Sequence, residues 1–239
     1  MGTSGYNYPE WRGSFYPEKL RASAMLPFYS ERFATVEINA TFYRMPNAAT
    51  LAAWDAATPA TFVFTLKAPQ RITHMRRLRD VDELVRVFCD TAHTLGPKLG
   101  PLLFQLPPNF AKDRDRLADL LVLVPPGLRC ALEFRHPSWF AEDVYELLRA
   151  RDAALCIADT EEGTTPDVAT ASWGYLRLRD AEYGDGELEA WARRAARESW
   201  ADAYVYFKHA MGAPARARKF GECVVAHRSS WRSGPGFVI

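Results

Sequence analysis

The sequence has few cysteines and no closely spaced cysteine pair. Its 239 residues include four cysteines, Cys89, Cys130, Cys156 and Cys223, and none of them forms a CxxC motif. Structural zinc sites and the disulfide frameworks of small secreted domains usually depend on closely spaced cysteines. We therefore expect reduced, packed thiols in a cytoplasmic protein, and no metal site is predicted.

Long hydrophobic runs are also missing. No stretch approaches the roughly 18 apolar residues that a membrane span requires, and structured-looking sequence begins at residue 2, where a signal peptide would need a different composition. The start MGTSGY has Tyr6 where the myristoylation pattern requires Ser or Thr. The sequence predicts no membrane partner.

Neither sign of charge dominates. The chain has 30 Lys and Arg against 29 Asp and Glu, a net charge of +1, so a nucleic-acid partner would need a local basic patch. Two segments supply basic residues, RITHMRRLRD at 71–80 and ARARK at 215–219. A nucleic-acid partner is therefore an alternative that we do not favour.

The chain does contain a repeated alternation of strand-like and helical segments. Eight short apolar runs lie at 2–6, 35–43, 62–69, 101–108, 130–136, 154–160, 173–180 and 202–210. Helical patterns follow most of them, at 22–33, 47–57, 80–95, 112–123, 186–199 and 213–225, with one more from about 138. The segment 161–172 is too short and too rich in Thr and Pro for a long helix.

This alternation predicts an α/β fold with a parallel sheet. Eight units within 1–225 fit a single (β/α)8 TIM-barrel domain, followed by a C-terminal tail at 226–239. An open doubly wound sheet is the alternative, but no GxGxxG motif follows the first strand.

Polar side chains recur on one face of the predicted strands. Strand alternation places one set toward the helices and the other in the barrel lumen. The lumen set comprises Glu37, Asn39, Lys67, Gln105, Glu133, Arg135, Arg177 and Lys208, and Asp159 ends the sixth strand. They lie toward the carboxyl ends of the strands, where barrel active sites form. A buried ion-pair network is the structural alternative, but six charged side chains in one lumen favour function.

The residue types suggest individual roles. The predicted catalytic residues are Glu133, Lys67, Glu37, His136 and Asp159. Glutamate suits general acid or base chemistry, and desolvation could make Lys67 a base or a Schiff-base amine. His136 or His74 could carry a proton at neutral pH.

The set carries about one unit of net positive charge, which favours an anionic ligand, and Arg135 and Arg177 suit forked recognition of phosphate or carboxylate. The predicted substrate-binding residues are Arg135, Arg177, Lys208, Asn39, Gln105, Tyr6, Tyr43, His74 and Trp139.

Several long motifs resemble one family. The strings GTSGYNYPEWRGSFYP, VEINATFYRMP, LKAPQRITH, LGPLLFQLPPNF and LEFRHPSW are similar, in this order, to the YecE-like family, domain of unknown function 72. The resemblance covers residue 2 to about 225 and implies a TIM barrel. Many members end the last strand in paired asparagines, where this chain has Lys208 and His209. The family has no settled reaction.

The sequence therefore predicts an enzyme that acts on a small anionic substrate, bearing phosphate or carboxylate, by general acid/base chemistry. No cofactor is predicted, and we expect a monomer or a weak homo-oligomer.

One alternative is a metal-dependent phosphodiesterase resembling endonuclease IV, for which the suitable ligand types are Glu37, His74, Glu133, His136, Asp159 and His209. However, no HxH or HExxH spacing exists. The other is a non-catalytic protein that binds nucleic acid or anions through the basic loops.

Overall fold

Eight parallel strands form a nearly closed barrel in the computed structural model, which describes residues 1–160, 163–180, 183–197, 200–208, 210–228 and 236–237. The barrel strands are β1 (Gly2–Thr3), β2 (Thr35–Ile38), β3 (Val63–Lys67), β4 (Leu99–Gln105), β5 (Cys130–Glu133), β6 (Ala154–Thr160), β8 (Gly174–Leu178) and β9 (Asp202–Phe207). Their order around the barrel is β1-β9-β8-β6-β5-β4-β3-β2. A parallel bridge between Ser4 and Glu37 links the two ends of this order.

Helices connect most of these strands. They are α1 (Met25–Ser30), α2 (Ala40–Tyr43), α3 (Ala48–Ala56), α4 (Asp82–His93), α5 (Arg114–Leu123), α6 (Glu142–Arg149), α7 (Asp185–Arg197) and α8 (Ala213–Arg228). No helix is described between β6 and β8, where the two-residue strand β7 (Gly163–Thr164) pairs antiparallel with the end of β6. The arrangement confirms the predicted (β/α)8 barrel.

A buried cluster of mostly apolar and aromatic side chains fills part of the barrel interior. Leu103, Ala131, Cys156, Trp173, Tyr175, Tyr204 and Tyr206 belong to a buried cluster that is separate from the strand–helix core. The Tyr206 hydroxyl lies 2.8 Å from Thr35 Oγ1 and 2.7 Å from Thr65 Oγ1. Because barrel interiors are packed in layers rather than open, the charged side chains of the lumen must gather beyond this cluster.

The second strand is shorter than predicted. It ends at Ile38, and residues 40–43 form a helical turn. The Thr41 hydroxyl donates to the carbonyls of Ile38, at 2.9 Å, and Lys67, at 2.7 Å, which fixes this turn against β3. The predicted strand over 35–43 is therefore wrong beyond Ile38: Asn39 is half-buried at the turn and Tyr43 is 74% exposed.

A further helix and a short strand follow β9. Helix α8 continues to Arg228, past the predicted boundary at 225, and β10 (Gly236–Phe237) pairs in parallel with Asp202 and Ala203 of β9. The other residues of the predicted tail beyond 228 lie outside the described part of the chain. Among the described helices, none is long and apolar enough to cross a membrane.

The contact between β1 and β2 depends on a glycine. A Cβ atom at Gly2 would lie 2.0 Å from the carbonyl oxygen of Thr35 and 2.9 Å from the Tyr29 hydroxyl. We expect Gly2→Ala to lower the free energy of unfolding by about 1–3 kcal/mol, since the backbone must shift where the barrel closes. Urea denaturation measures this change. Gly186→Ala is the control, because no atom lies within 4 Å of its Cβ position; equal midpoints for both variants would contradict the prediction.

Candidate functional site

A buried arginine lies between two glutamates at the centre of the lumen. Arg177 Nη2 of β8 is 2.8 Å from Glu37 Oε1 of β2, and Arg177 Nη1 is 2.5 Å from Glu133 Oε2 of β5. All three side chains are almost entirely inaccessible to solvent. Burying charges is costly unless they are paired and hydrogen-bonded, so these contacts make the three residues mutually dependent.

Glu37 has two further donors. The Ser4 hydroxyl donates to Oε1 at 2.6 Å, and the Tyr175 hydroxyl donates to Oε2 at 2.5 Å. With Arg177, both carboxylate oxygens are engaged. The geometry gives Glu37 a role in holding Arg177 rather than in contacting a ligand.

Glu133 links the buried centre to the barrel mouth. Its Oε1 accepts from Gln105 Nε2 at 2.8 Å, and also from Arg135 Nε and Arg179 Nη1, each at 3.3 Å. Burial alone would raise the pKa of this carboxyl, but Arg177, Arg135 and Arg179 outweigh burial and hold the pKa well below its usual range. Glu133 is therefore a stable anion at neutral pH and a weak base.

Lys67, in contrast to Glu133, is shifted toward its uncharged form. Its Nζ donates to Gln105 Oε1 at 2.8 Å and lies 4.1 Å from the centroid of the Phe42 ring. Burial, followed by the charge of Arg177, lowers the pKa of Lys67 from 10.5 to about 8, although Glu133 opposes this shift. Part of the Lys67 population is consequently a neutral amine near pH 7.

His74 lies in the segment that follows β3. It belongs to a π-helical turn, Arg71–Met75, and its Nδ1 is 2.9 Å from Thr73 Oγ1. Burial, followed by the charge of Lys67, lowers the pKa of His74 from 6.5 to about 4. The imidazole is therefore neutral at physiological pH.

A cavity of about 450 Å³ opens at the barrel mouth. Its wall includes three cationic side chains and one carboxylate, together with polar residues of β6 and β7, and its charged members are Arg135, Arg179, Lys208 and Glu133. Arg179 is absent from the predicted site residues. The strand alternation that places Arg177 in the lumen also places Arg179 there, two residues further on, so the signal was present in the sequence.

Two of the predicted catalytic residues make local contacts at the rim. Asp159 accepts hydrogen bonds from the Thr164 hydroxyl at 2.6 Å and from the Tyr183 hydroxyl at 2.7 Å, which tie it to β7 and to the loop after β8. His136 Nδ1 lies 2.7 Å from Ser138 Oγ and accepts from the Ser138 amide at 3.2 Å. His136 thus caps the short turn that follows β5.

Two predicted ligand contacts pack into the protein instead. Trp139 is fully buried: its ring stacks on Phe134 with centroids 4.8 Å apart, and its Nε1 donates to the Phe110 carbonyl at 2.7 Å. Trp139 is therefore not placed to contact a ligand in the mouth cavity, whose lining does not include it. Tyr6 packs near Tyr29, with ring centroids 6.2 Å apart.

Among the residues that the structure describes, no group of three or more His, Cys, Asp or Glu side chains could hold a metal ion. The predicted ligand types Glu37 and Glu133 are committed to Arg177. His209, the remaining candidate from the last strand, lies outside the described residues.

These features define an α/β barrel protein with a cationic cavity at the carboxyl ends of its strands. The chain belongs to the family described as protein of unknown function DUF72, whose model matches residues 1–235. The predicted YecE-like family is thereby confirmed.

Curated relatives agree with this assignment. The chain is 33% identical over 174 residues to UPF0759 protein YunF of Bacillus subtilis, a match that covers 66% of this chain and 62% of YunF. It is 32% identical over 136 residues to UPF0759 protein YecE of Escherichia coli K12, a match that covers 56% of this chain and 49% of YecE. The matches thus span less than two thirds of either relative.

Solved structures agree on the fold. A DUF72 family protein from Thermotoga maritima is similar with a TM-score of 0.74 and 24% identity, covering 96% of this chain and 99% of that protein. A DUF72 family protein from Enterococcus faecalis is similar with a TM-score of 0.79 and 18% identity, covering 94% of each chain. At these identities the likeness concerns the fold alone.

Removing the central guanidinium should destabilise the protein strongly. We expect Arg177→Met to cost about 3–5 kcal/mol in free energy of unfolding, because it leaves Glu37 buried without its counter-ion and Glu133 with only the longer contacts to Arg135 and Arg179. The triple variant R177M/E37Q/E133Q should recover part of this loss, since it removes the uncompensated charges. Urea denaturation tests both variants. Arg193→Met, which removes an exposed arginine 4.0 Å from Glu189, should change stability by about 0.5 kcal/mol or less; an equal effect of R177M would contradict the prediction.

Lys67 should titrate near pH 8. Rates of amine modification at single lysines, followed by mass spectrometry across pH, measure the proton loss directly, and the exposed Lys19 is the internal reference. Because the folded-state pKa lies below the usual 10.5, the stability contributed by the neutral amine is fully present above pH 10.5 and is lost as pH falls toward 8. Lys67→Met should remove this dependence. A Lys67 pKa at the usual 10.5 would disprove the shift.

Proposed function

We propose that this protein is an enzyme that binds a small anionic substrate, bearing phosphate or carboxylate, in the mouth cavity and acts on it by acid/base chemistry. The observation that carries the proposal is the charge of the cavity wall. Three cations, Arg135, Arg179 and Lys208, line the cavity. The carboxylate of Glu133 in the same wall is already engaged with arginines.

The two arginines are held in place but retain donors. Arg135 contacts Glu133 through Nε alone, and Arg179 does so through Nη1. A guanidinium has five N–H donors, so each can still form a forked contact with a ligand oxygen pair. Their side chains are 32% and 24% exposed, which leaves them accessible from the cavity.

Lys67 is the proposed base. A group with a pKa of about 8 is matched to proton transfer near neutral pH, and Gln105 fixes its amine by hydrogen bonding at the same time to Glu133. Lys67 is not among the residues that line the mouth cavity, so in this proposal the substrate reaches past Glu133 to Lys67, which accepts its proton. Glu133 positions the arginines and remains ionised.

Anion binding is the first test. Isothermal titration with inorganic phosphate and with oxalate, in wild type and in R135A/R179A, should show a site whose affinity falls by about tenfold or more in the variant, since charge-assisted hydrogen bonds are lost. The control R21A/R193A removes two exposed arginines outside the cavity wall. Equal losses in both double variants would indicate a nonspecific charge effect and overturn the proposed site.

The role of Lys67 has a separate test. Conversion of a panel of phosphorylated and carboxylated metabolites is followed by NMR with wild type and K67M. A compound that wild type converts should still bind to K67M but should not be converted by it. Undiminished conversion by K67M would overturn the assignment of the base.

A further inference from the structure

A second cavity, of about 480 Å³, lies against the loop that follows the π-helical turn Arg71–Met75. Its wall consists of Met75, Arg76, Arg77, Arg79, Asp80 and Arg116. It shares no lining residue with the mouth cavity. The two cavities can therefore be altered separately.

The charges of this second cavity are strongly unbalanced. Four guanidinium groups and one carboxylate line it. Arg116 is paired with Asp113, at 2.9 Å. Within the described part of the chain, no carboxylate forms a salt bridge with Arg76, Arg77 or Arg79, the three arginines of the loop.

The loop adopts a costly backbone conformation. Arg77, Leu78 and Asp80 have φ angles of 48°, 64° and 50°. The left-handed region costs roughly 1–2 kcal/mol for a residue that has a Cβ atom, and Asp tolerates it better than Arg or Leu. Such a conformation persists only when its surroundings impose it.

Neighbouring residues impose it here. The Leu78 side chain is 3% exposed, and its amide donates to the Ile72 carbonyl at 3.0 Å. Arg76 Nη1 donates to the Asp80 carbonyl at 3.1 Å, and Arg116 Nη1 donates to the Arg77 carbonyl at 3.3 Å. The loop arginines are exposed but attached to a fixed backbone, and they line one cavity together with Arg116.

We propose that this second cavity binds the phosphate group of a small phosphorylated molecule. Several guanidinium groups around one space match a group with three terminal oxygens and nearly two negative charges. A ligand there would supply the counter-charge that the loop arginines lack. The site is independent of the proposed catalytic role of the mouth.

The probe is inorganic pyrophosphate, titrated calorimetrically into the full chain. We expect R77A/R79A to weaken binding at this site by about tenfold or more, whereas R135A/R179A retains it. R21A/R193A is matched for charge and should bind as wild type does. Unchanged binding by R77A/R79A, or an equal loss in R21A/R193A, would overturn the proposal.

The variants also separate this site from the mouth. Loss of all pyrophosphate binding in R135A/R179A alone would support the mouth site and overturn the second cavity as a site. Loss of all pyrophosphate binding in R77A/R79A alone would support the second cavity and overturn pyrophosphate binding at the mouth. A single-stranded oligonucleotide is titrated in parallel. If R77A/R79A weakened oligonucleotide binding but left pyrophosphate binding intact, the loop would be a nucleic-acid contact and the small-molecule proposal would be wrong. Circular dichroism of each variant shows that a loss of binding is not a loss of folding.

Discussion

The contacts of Arg177 with two buried carboxylates organise the interior of this barrel. Glu37 comes from β2, Glu133 from β5 and Arg177 from β8, so the interaction joins strands that are not neighbours in the sheet. The buried guanidinium is tolerable because both carboxylates pair with it, and Glu37 depends on Arg177 as its counter-ion. Once Glu133 is fixed, its remaining oxygen orients Arg135, Arg179 and Gln105, and Gln105 in turn holds Lys67. The proposed ligand contacts are therefore set by a buried ion network.

The charge of Arg177 gives Glu133 and Lys67 different protonation behaviour. Arg177 stabilises a nearby anion and destabilises a nearby cation, so it contributes both to the low pKa of Glu133 and to the lowered pKa of Lys67. Glutamate is the more obvious acid/base residue from sequence. In this lumen the lysine is better matched to proton transfer near neutral pH, while the glutamate stays ionised.

The succession of strand-like and helical segments predicted the fold. The two-residue period within the strands predicted the faces of Glu133 and Arg177, because it leaves no freedom once one face is apolar. It failed where the chain leaves the strand. At Thr41 a hydroxyl bonded to two carbonyls starts a helical turn within a β-rich run, and residue preference alone does not reveal such a tertiary contact. Trp139 is amphipathic, so its type is compatible with a binding wall or with a core, and only its contacts with Phe134 and Phe110 decide.

The near-zero net charge of the chain conceals a marked separation of charge. In the lumen, Glu37 is covered by donors and Glu133 is engaged by three arginines, so both carboxylates compensate Arg177, although Glu133 also lines the mouth cavity. Cations are left accessible in both cavity walls. Because an incoming ligand responds to the charges it can reach rather than to the total, a protein with nearly equal numbers of acids and bases can still present cationic cavities. The buried carboxylates make this compatible with a stable fold, since they hold the central guanidinium and compensate Arg135 and Arg179 only through the single oxygen of Glu133 that both contact.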